Sequence, residues 1–243
     1  MNPDLTGQVA LVTGSADRVG RELLLGLAAR GADVAVHHRR SAAAAEATAA
    51  EARDHGVAAT TVRGDITDPT AVDDLFDDVE ADLGTVDILV NCVGPFAPEH
   101  WESIDPETWK RVLDVNFNGT YLCSRRALGP MREAGYGRIV NIGFADADRE
   151  HCHPVNFPYF VAKTGVLMFT RMLAADTQDD GITVNAVSPF AVENTVSDVS
   201  EFPRGRPASF EDLVRAVSFF VDPDNEYISG QNVAVDGGRL PEL

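Results

Sequence analysis

Apolar and polar positions along the chain switch between a strand-like run and a helical period, and the switching lays out the fold. Gln8 to Thr13 is an apolar run of strand length that ends at Gly14-Ser15-Ala16-Asp17-Arg18-Val19-Gly20, after which apolar residues recur at helical spacing. A second apolar run, Asp33 to His38, follows Arg30-Gly31 and closes on His37-His38-Arg39-Arg40-Ser41. Strand, glycine turn, helix and strand make one βαβ unit. The Ala-rich run from Ser41 to Asp54 predicts a helix with a serine cap, and Val57 to Arg63 a third strand ending at Gly64-Asp65-Ile66. Asp68-Pro69 pairs a cap with a first-turn proline and starts a helix to about Leu83; Val86 to Asn91 reads as a buried strand ending at Asn91-Cys92-Val93-Gly94. Asp105-Pro106 repeats that start for a long helix through Asn116 toward Arg132, and Arg138 to Ile142 is the next strand. After a polar loop come a helix from about Asn156 to Thr177 and a strand, Thr183 to Val187, closed by Ser188-Pro189. Residues 190–208 form a long irregular segment with Pro203 and Pro207, a length usually kept for function, often as a lid. A helix from about Phe210 to Val221 and a strand from Asn232 to Val235 complete the alternation. The fold class is therefore α/β, a doubly wound parallel sheet with helices on both faces and ligands at the carboxyl ends of the strands.

The first βαβ unit suits a dinucleotide. Its glycine turn aims free backbone N–H groups and the positive end of a helix at a pyrophosphate, and Gly14 and Gly20 allow close approach. An NAD site usually ends the second strand with an acid that accepts from the adenosine ribose; here Arg39, Arg40 and Ser41 stand in that region. Two guanidiniums and a hydroxyl suit a 2′-phosphate, which points to NADPH/NADP rather than NADH. The competing reading, a solvated start to the next helix, is weaker at the end of this strand.

Composition narrows the rest. With 243 residues and 44% hydrophobic content the chain can bury a full core, and residues 1–243 are expected to form one Rossmann-type domain. No stretch approaches the ~18 apolar residues of a membrane span, and no basic stretch followed by an apolar run marks the N-terminus, so a cytoplasmic location is expected. Cys92, Cys123 and Cys152 lie far apart without C-x-x-C spacing, as packing residues in a reducing compartment do. A net charge of -18 excludes nucleic acid and anionic membrane surfaces as partners. Lysine occurs only at Lys110 and Lys163 while acids crowd faces such as Asp73-Asp74, Asp77-Asp78, Glu80 and Asp82, a pattern of proteins from salt-accumulating cytoplasms. Codon bias would enrich arginine without so large an acidic excess.

Candidate chemistry sits on the helix carrying Tyr159-Phe160-Val161-Ala162-Lys163. Spacing i,i+4 puts Tyr159 and Lys163 on one face, where an ammonium is expected to lower the phenol's pKa from about 10 toward the working range. That makes Tyr159 a proton donor to a reduced carbonyl oxygen. Such a pair is common by chance as a surface pair, but this chain has only two lysines.

With these motifs in order, the chain resembles a short-chain dehydrogenase/reductase over essentially its whole length. Thr13-Gly14 through Gly20 resembles that family's glycine turn, Ser15, Arg18 and Val19 included, Asp65 with Ile66 its adenine-side stretch, and Asn91-Cys92-Val93-Gly94 its Asn-Asn-Ala-Gly motif. Tyr159 and Lys163 match the catalytic pair, Asn116 the helix asparagine, and Ser188-Pro189, with Val192 just beyond, the stretch before the nicotinamide. Tyr227-Ile228-Ser229-Gly230 and Val235-Asp236-Gly237-Gly238 are similar to its C-terminal signature. The resemblance implies a small-molecule substrate, a ribose-binding role for Lys163, a relay water near Asn116 and a homo-oligomer, a tetramer built on the two long helices.

The departures carry information. Arg18 stands at the family's middle glycine, Cys92 at its second asparagine and Phe190 at the glycine after the sixth-strand proline. Counting from Ile139-Val140-Asn141-Ile142, the catalytic serine falls on Phe144; counting back from Tyr159 it falls on Asp146, which is therefore the candidate catalytic substitute. An arginine in the glycine turn, a basic-Arg-Ser cluster and an aromatic at Phe96 also resemble the pteridine reductases, where Phe96 would touch a flat substrate. Three functions follow: reduction of a ketone or 3-oxoacyl thioester, reduction of a pteridine, and a non-catalytic NADPH sensor. The last has only the lost serine in its favour. His151-Cys152-His153, near Asp146 and Asp148, could chelate in an extended segment, but loop histidines more often face substrate, and no metal is expected.

Overall fold

The computed structural model describes residues 3–149, 154–193 and 202–239. Seven strands, β1 (Val9–Val12), β2 (Asp33–His38), β3 (Ala59–Arg63), β4 (Ile88–Asn91), β5 (Gly137–Ile142), β6 (Ile182–Pro189) and β7 (Asn232–Val235), form one sheet in the order β3-β2-β1-β4-β5-β6-β7. Every neighbouring pair is parallel. The helices are α1 (Arg18–Ala28), α2 (Ala42–Arg53), α3 (Pro69–Asp82), α4 (Pro106–Leu113), α5 (Gly119–Ala134), α6 (Phe157–Asp176) and α7 (Phe210–Val221). The expected doubly wound sheet is what the chain adopts.

The two faces of the sheet carry separate cores. Ala10 and Val12 of β1 pack with Leu23, Leu24 and Leu27 of α1, Ala45 and Ala49 of α2, and Leu213, Val217 and Phe220 of α7. Val9 and Leu11 of the same strand face Leu75 and Phe76 of α3, Ala127 and Met131 of α5, and Leu173 of α6. A strand buried on both faces has no room for polar alternation, which is why β1 and β4 read as near-continuous apolar runs.

Caps set the helix starts. Asp68 accepts from the Thr70 N–H at 3.0 Å, and Asp105 from Glu107 and Thr108 at 2.9 Å, each with proline next in the chain. Ser41 precedes α2 but makes no side-chain cap bond, contrary to expectation. The long helix expected from Asp105 is broken into α4 and α5 by a π-turn, Asp114–Asn118. Asn116 lies in that wider turn and uses its side chain to bind backbone outside it. Of the segment expected to act as a lid, residues 190–193 and 202–208 are described; Val192 bridges Ala208 there.

Candidate active site

The strand order reverses at β1, which pairs with β2 on one side and β4 on the other, and a cleft of about 910 Å³ opens at the carboxyl ends there. Gly14 takes φ +70°, and an added Cβ would lie 2.7 Å from Val93. At Gly20 an added Cβ would lie 2.4 Å from the Gly14 carbonyl oxygen, so only glycine lets α1 start this close to the turn. Arg18 adopts φ 51°, a left-handed backbone that costs a non-glycine residue about 1 kcal/mol. Gly14, Arg18, Val19 and Gly20 all line the cleft.

Ser15 does not line it: its buried hydroxyl accepts from the His37 N–H at 3.0 Å, tying the turn to β2. His37, which nothing in the sequence marks as a site residue, continues this link. Its Nδ1 accepts from the Gly14 N–H at 2.9 Å and its Nε2 donates to the Gly64 carbonyl at 3.2 Å, which fixes the neutral tautomer. Burial pushes its pKa down to about 4. No apolar or charge pattern distinguishes such a residue; only the pairing of β2 with the turn reveals it.

Arg39 lines the cleft beyond His37 and pairs with Asp65 at 3.1 Å, while Asp65 also accepts from the Thr67 backbone and hydroxyl. Asp65 and Ile66 form the wall facing Arg39. Arg40 and Ser41 are exposed and not part of the lining, because the chain turns away into α2 after Arg39.

On the other side of the switch point, Thr13 Oγ1 accepts from the Cys92 and Val93 N–H groups at 2.9 and 3.3 Å, joining the ends of β1 and β4. Val93 and Gly94 line the cleft; Asn91 does not, its amide donating instead to Ser124 at 3.1 Å and Asn141 at 2.9 Å in the interior. Cys123 and Cys92 both pack as expected, Cys123 within the core and Cys92 against it, where Cys92 also borders the cleft and burial raises its thiol to about 11.

Asn116, Lys163 and Tyr159 converge behind Gly94. The Asn116 amide donates to the Pro95 carbonyl at 2.7 Å and to Val112 at 2.9 Å, leaving its Oδ1 buried and without a partner among the described residues. A Cβ on Gly94 would stand 2.7 Å from that oxygen and 3.2 Å from Lys163 Nζ, so this glycine gives both groups their access. Lys163 donates to the Ile142 carbonyl at 2.7 Å and lies 5.5 Å from the centre of the Tyr159 ring. Burial lowers the lysine to about 8, against a smaller opposing effect of Cys92. The phenol of Tyr159 is raised above its ordinary value by burial and by Cys92, which corrects the lowering expected from Lys163: removal from water outweighs an ammonium already bonded to a carbonyl.

Around Tyr159 the cleft is aromatic. Phe144 meets its ring edge-on at 5.6 Å and Phe96 does so at 6.4 Å. Phe190 stacks on Phe144 at 6.0 Å, and Phe202 leans on Phe190 at 5.9 Å. Asn156 takes φ 63° before α6 and accepts from the Ala97 N–H at 2.8 Å, which anchors the loop bearing Phe96. Pro189 and Val192 complete this end, with Arg111 of α4 as a further lining residue unforeseen from sequence. Phe144, on which the count from the strand pattern falls, lines this end of the cleft. Asp146 is not in the lining: its carboxylate, in a short 3-10 turn, accepts from Arg239 on both oxygens at 2.6 and 2.8 Å. The candidate catalytic role for Asp146 is thereby corrected.

His151, Cys152 and His153 lie outside the described residues. Among the described residues no group of three or more His, Cys, Asp or Glu side chains could hold a metal, and no helix is long and apolar enough to cross a membrane. The glycines at 14 and 20 and the cation at Arg39 fit a dinucleotide phosphate, while the unpartnered Asn116 oxygen beside Gly94 and Lys163 is an acceptor suited to a water or a hydroxyl.

Comparison with known proteins agrees with this geometry. Residues 14–239 match the family model described as Enoyl-(Acyl carrier protein) reductase. The chain is 33% identical over 244 residues to a 3-oxoacyl-[acyl-carrier-protein] reductase of Synechocystis sp., covering 97% of this chain and 98% of that one. It is 32% identical to an acetoacetyl-CoA reductase of Allochromatium vinosum, with 95% and 98% covered. Among solved structures, a gluconate 5-dehydrogenase from Burkholderia cenocepacia in complex with NADP and tartrate superposes with a TM-score of 0.87 at 28% identity, covering 96% and 95% of the two chains. A short-chain type dehydrogenase/reductase from Mycobacterium marinum gives 0.89 at 27%, covering 97% and 96%.

Proposed function

The chain belongs to the short-chain dehydrogenase/reductase family, and from that premise we propose that it reduces a ketone or 3-oxoacyl thioester with NADPH, Tyr159 giving the proton. The observation that carries this reading is the convergence of Tyr159, Lys163 and Asn116 at the head of a cleft whose far end holds Arg39. The Synechocystis and Allochromatium relatives, named for 3-oxoacyl and acetoacetyl substrates, support the substrate class.

When bound, the nicotinamide supplies the hydride. The backbone at Gly14, Val19 and Gly20 would hold the pyrophosphate, Asp65 and Ile66 would border the adenine, and Arg39 would meet the 2′-phosphate. Val93, Gly94, Pro189 and Val192 would border the nicotinamide end, with Lys163 on the ribose hydroxyls. Because burial keeps the Tyr159 phenol protonated, it can give its hydrogen to an oxygen that gains negative charge. The Asn116 Oδ1 is free to hold a relay water beside Lys163.

NADPH oxidation at high salt with an acetoacetyl thioester and a dihydropterin in parallel tests the function. Turnover of the thioester is expected; turnover of the pterin alone would favour the second reading, pteridine reduction, which the phenyl ring of Phe96 beside Tyr159 supports. Silence with both, together with tight NADPH binding, would leave the sensor reading. For the cofactor, Arg39→Ala should raise the NADPH KM roughly tenfold or more and the NADH KM little, since charge-assisted bonds contribute about 1.5–3 kcal/mol. Equal effects on both cofactors would overturn the choice of NADPH. The exposed Tyr121, Val161, Met168 and Met172 of α5 and α6 support a homotetramer, to be read by light scattering.

A further inference from the structure

Asp146 belongs to a cross-link that runs behind the substrate end of the cleft. Arg239 donates from one nitrogen to both of its oxygens, and the guanidinium carbon lies 3.8 Å from the centre of the Phe190 ring. Arg149 binds Asp236 and donates to the Arg239 carbonyl at 2.8 Å, so residues 236–239 are fastened to residues 146–149 at several points. Phe190 in turn stacks on Phe144, which stands against Tyr159. An unbroken series of contacts thus leads from the ion pair of buried Asp146 with half-buried Arg239 to the Tyr159 ring.

Buried ion pairs seldom add much net stability, because desolvation offsets their attraction, but they fix geometry. Here the geometry fixed is that of two phenyl rings standing where the family has a serine and a glycine. We propose that Asp146 and Arg239 are positioning residues that hold Phe144 and Phe190 as a flat wall, and that this wall selects substrates presenting a planar ring or conjugated face. The selection rests on the carbonyl-reductase reading above and names its substrate class. A ring held in place loses little freedom when a second ring packs on it, whereas a loose one must be ordered first. Phe96 and Phe202 extend the same lining, so a flat guest meets aromatic surface on several sides.

The test reads binding, without turnover. The protein loaded with NADP is titrated calorimetrically with 2-naphthol and with its saturated counterpart, decahydro-2-naphthol. The wild type should prefer the flat ligand by about tenfold, the scale of one good ring contact. Arg239→Ala and Phe190→Leu should each bring the ratio close to 1 with NADP affinity kept within about twofold, and Arg239→Lys, which keeps the charge toward Asp146 but not the flat stacking group, should recover part of it. No preference in the wild type, an unchanged ratio in Arg239→Ala, or a parallel loss of NADP affinity would each overturn the proposal. If Arg239→Ala does not fold, Phe190→Leu, which leaves the ion pair intact, decides. A preserved preference in a protein that reduces no ketone would count against the function and leave the wall standing.

Discussion

Lys163 carries its ammonium where water is excluded, and the cost is visible in its lowered pKa, about 8 against an ordinary 10.5. A lysine whose folded value lies below its unfolded one destabilises the fold fully at pH below the folded value, and the penalty fades only as pH rises from there toward the unfolded value. Lys163→Met should therefore stabilise the cofactor-free protein at pH 7 by about 1–3 kcal/mol, the upper figure being the whole shift, while abolishing reduction. A lower melting temperature than wild type would show that the bond to the Ile142 carbonyl matters more than desolvation. His37 runs the same sign at lower pH. The unfolded chain takes up a proton near 6.5 that the folded chain refuses until about 4, so stability should fall across that interval by up to ~3 kcal/mol. Urea midpoints of wild type and His37→Gln between pH 7 and 4.5 check it: the wild-type curve should be steeper, and parallel curves would mean His37 is protonated without loss.

At the scale of elements, the turn between β1 and α1 depends on one missing methyl group. Gly20→Ala sets a carbon against the backbone of Gly14, which cannot swing aside as a side chain would, so it should cost about 1–3 kcal/mol and weaken dinucleotide binding. Gly129→Ala in α5 meets nothing within 4 Å and should instead stabilise by roughly 0.5–1 kcal/mol; chemical denaturation of the pair separates crowding from helix propensity. The strands, the caps at Asp68 and Asp105 and the glycine turn are legible in the sequence, because each follows from local period or turn chemistry. The π-turn at Asn116 is not, since a helix sequence does not announce an extra residue when the gain comes from the distant Pro95 carbonyl. Asp146 misleads for a related reason: its partner Arg239 lies far along the chain, and no local pattern ties the two. Phe144 and Phe190 are visible as departures, but their stacking belongs to the packing of β5 against β6.

For the whole molecule, charge dominates. Many carboxylates find arginines, as Asp77 and Glu80 do in sharing Arg126, yet 38 acids against 20 bases leave most of the surface repelling itself. Melting temperatures should climb from low to molar KCl as screening shortens the reach of that repulsion to about 3 Å at 1 M. A flat or falling series would make the acidic excess a matter of codon usage. The strand order also bears on how the chain comes off the ribosome. β1, β2 and β3 emerge first and can pair, together with the turn and Arg39, whereas the other edge of β1 stays open until β4 arrives and Tyr159 follows much later. A nascent chain thus owns the turn and Arg39 well before it owns Tyr159 and Lys163, and a dinucleotide that met the first of these would act on it as a folding ligand.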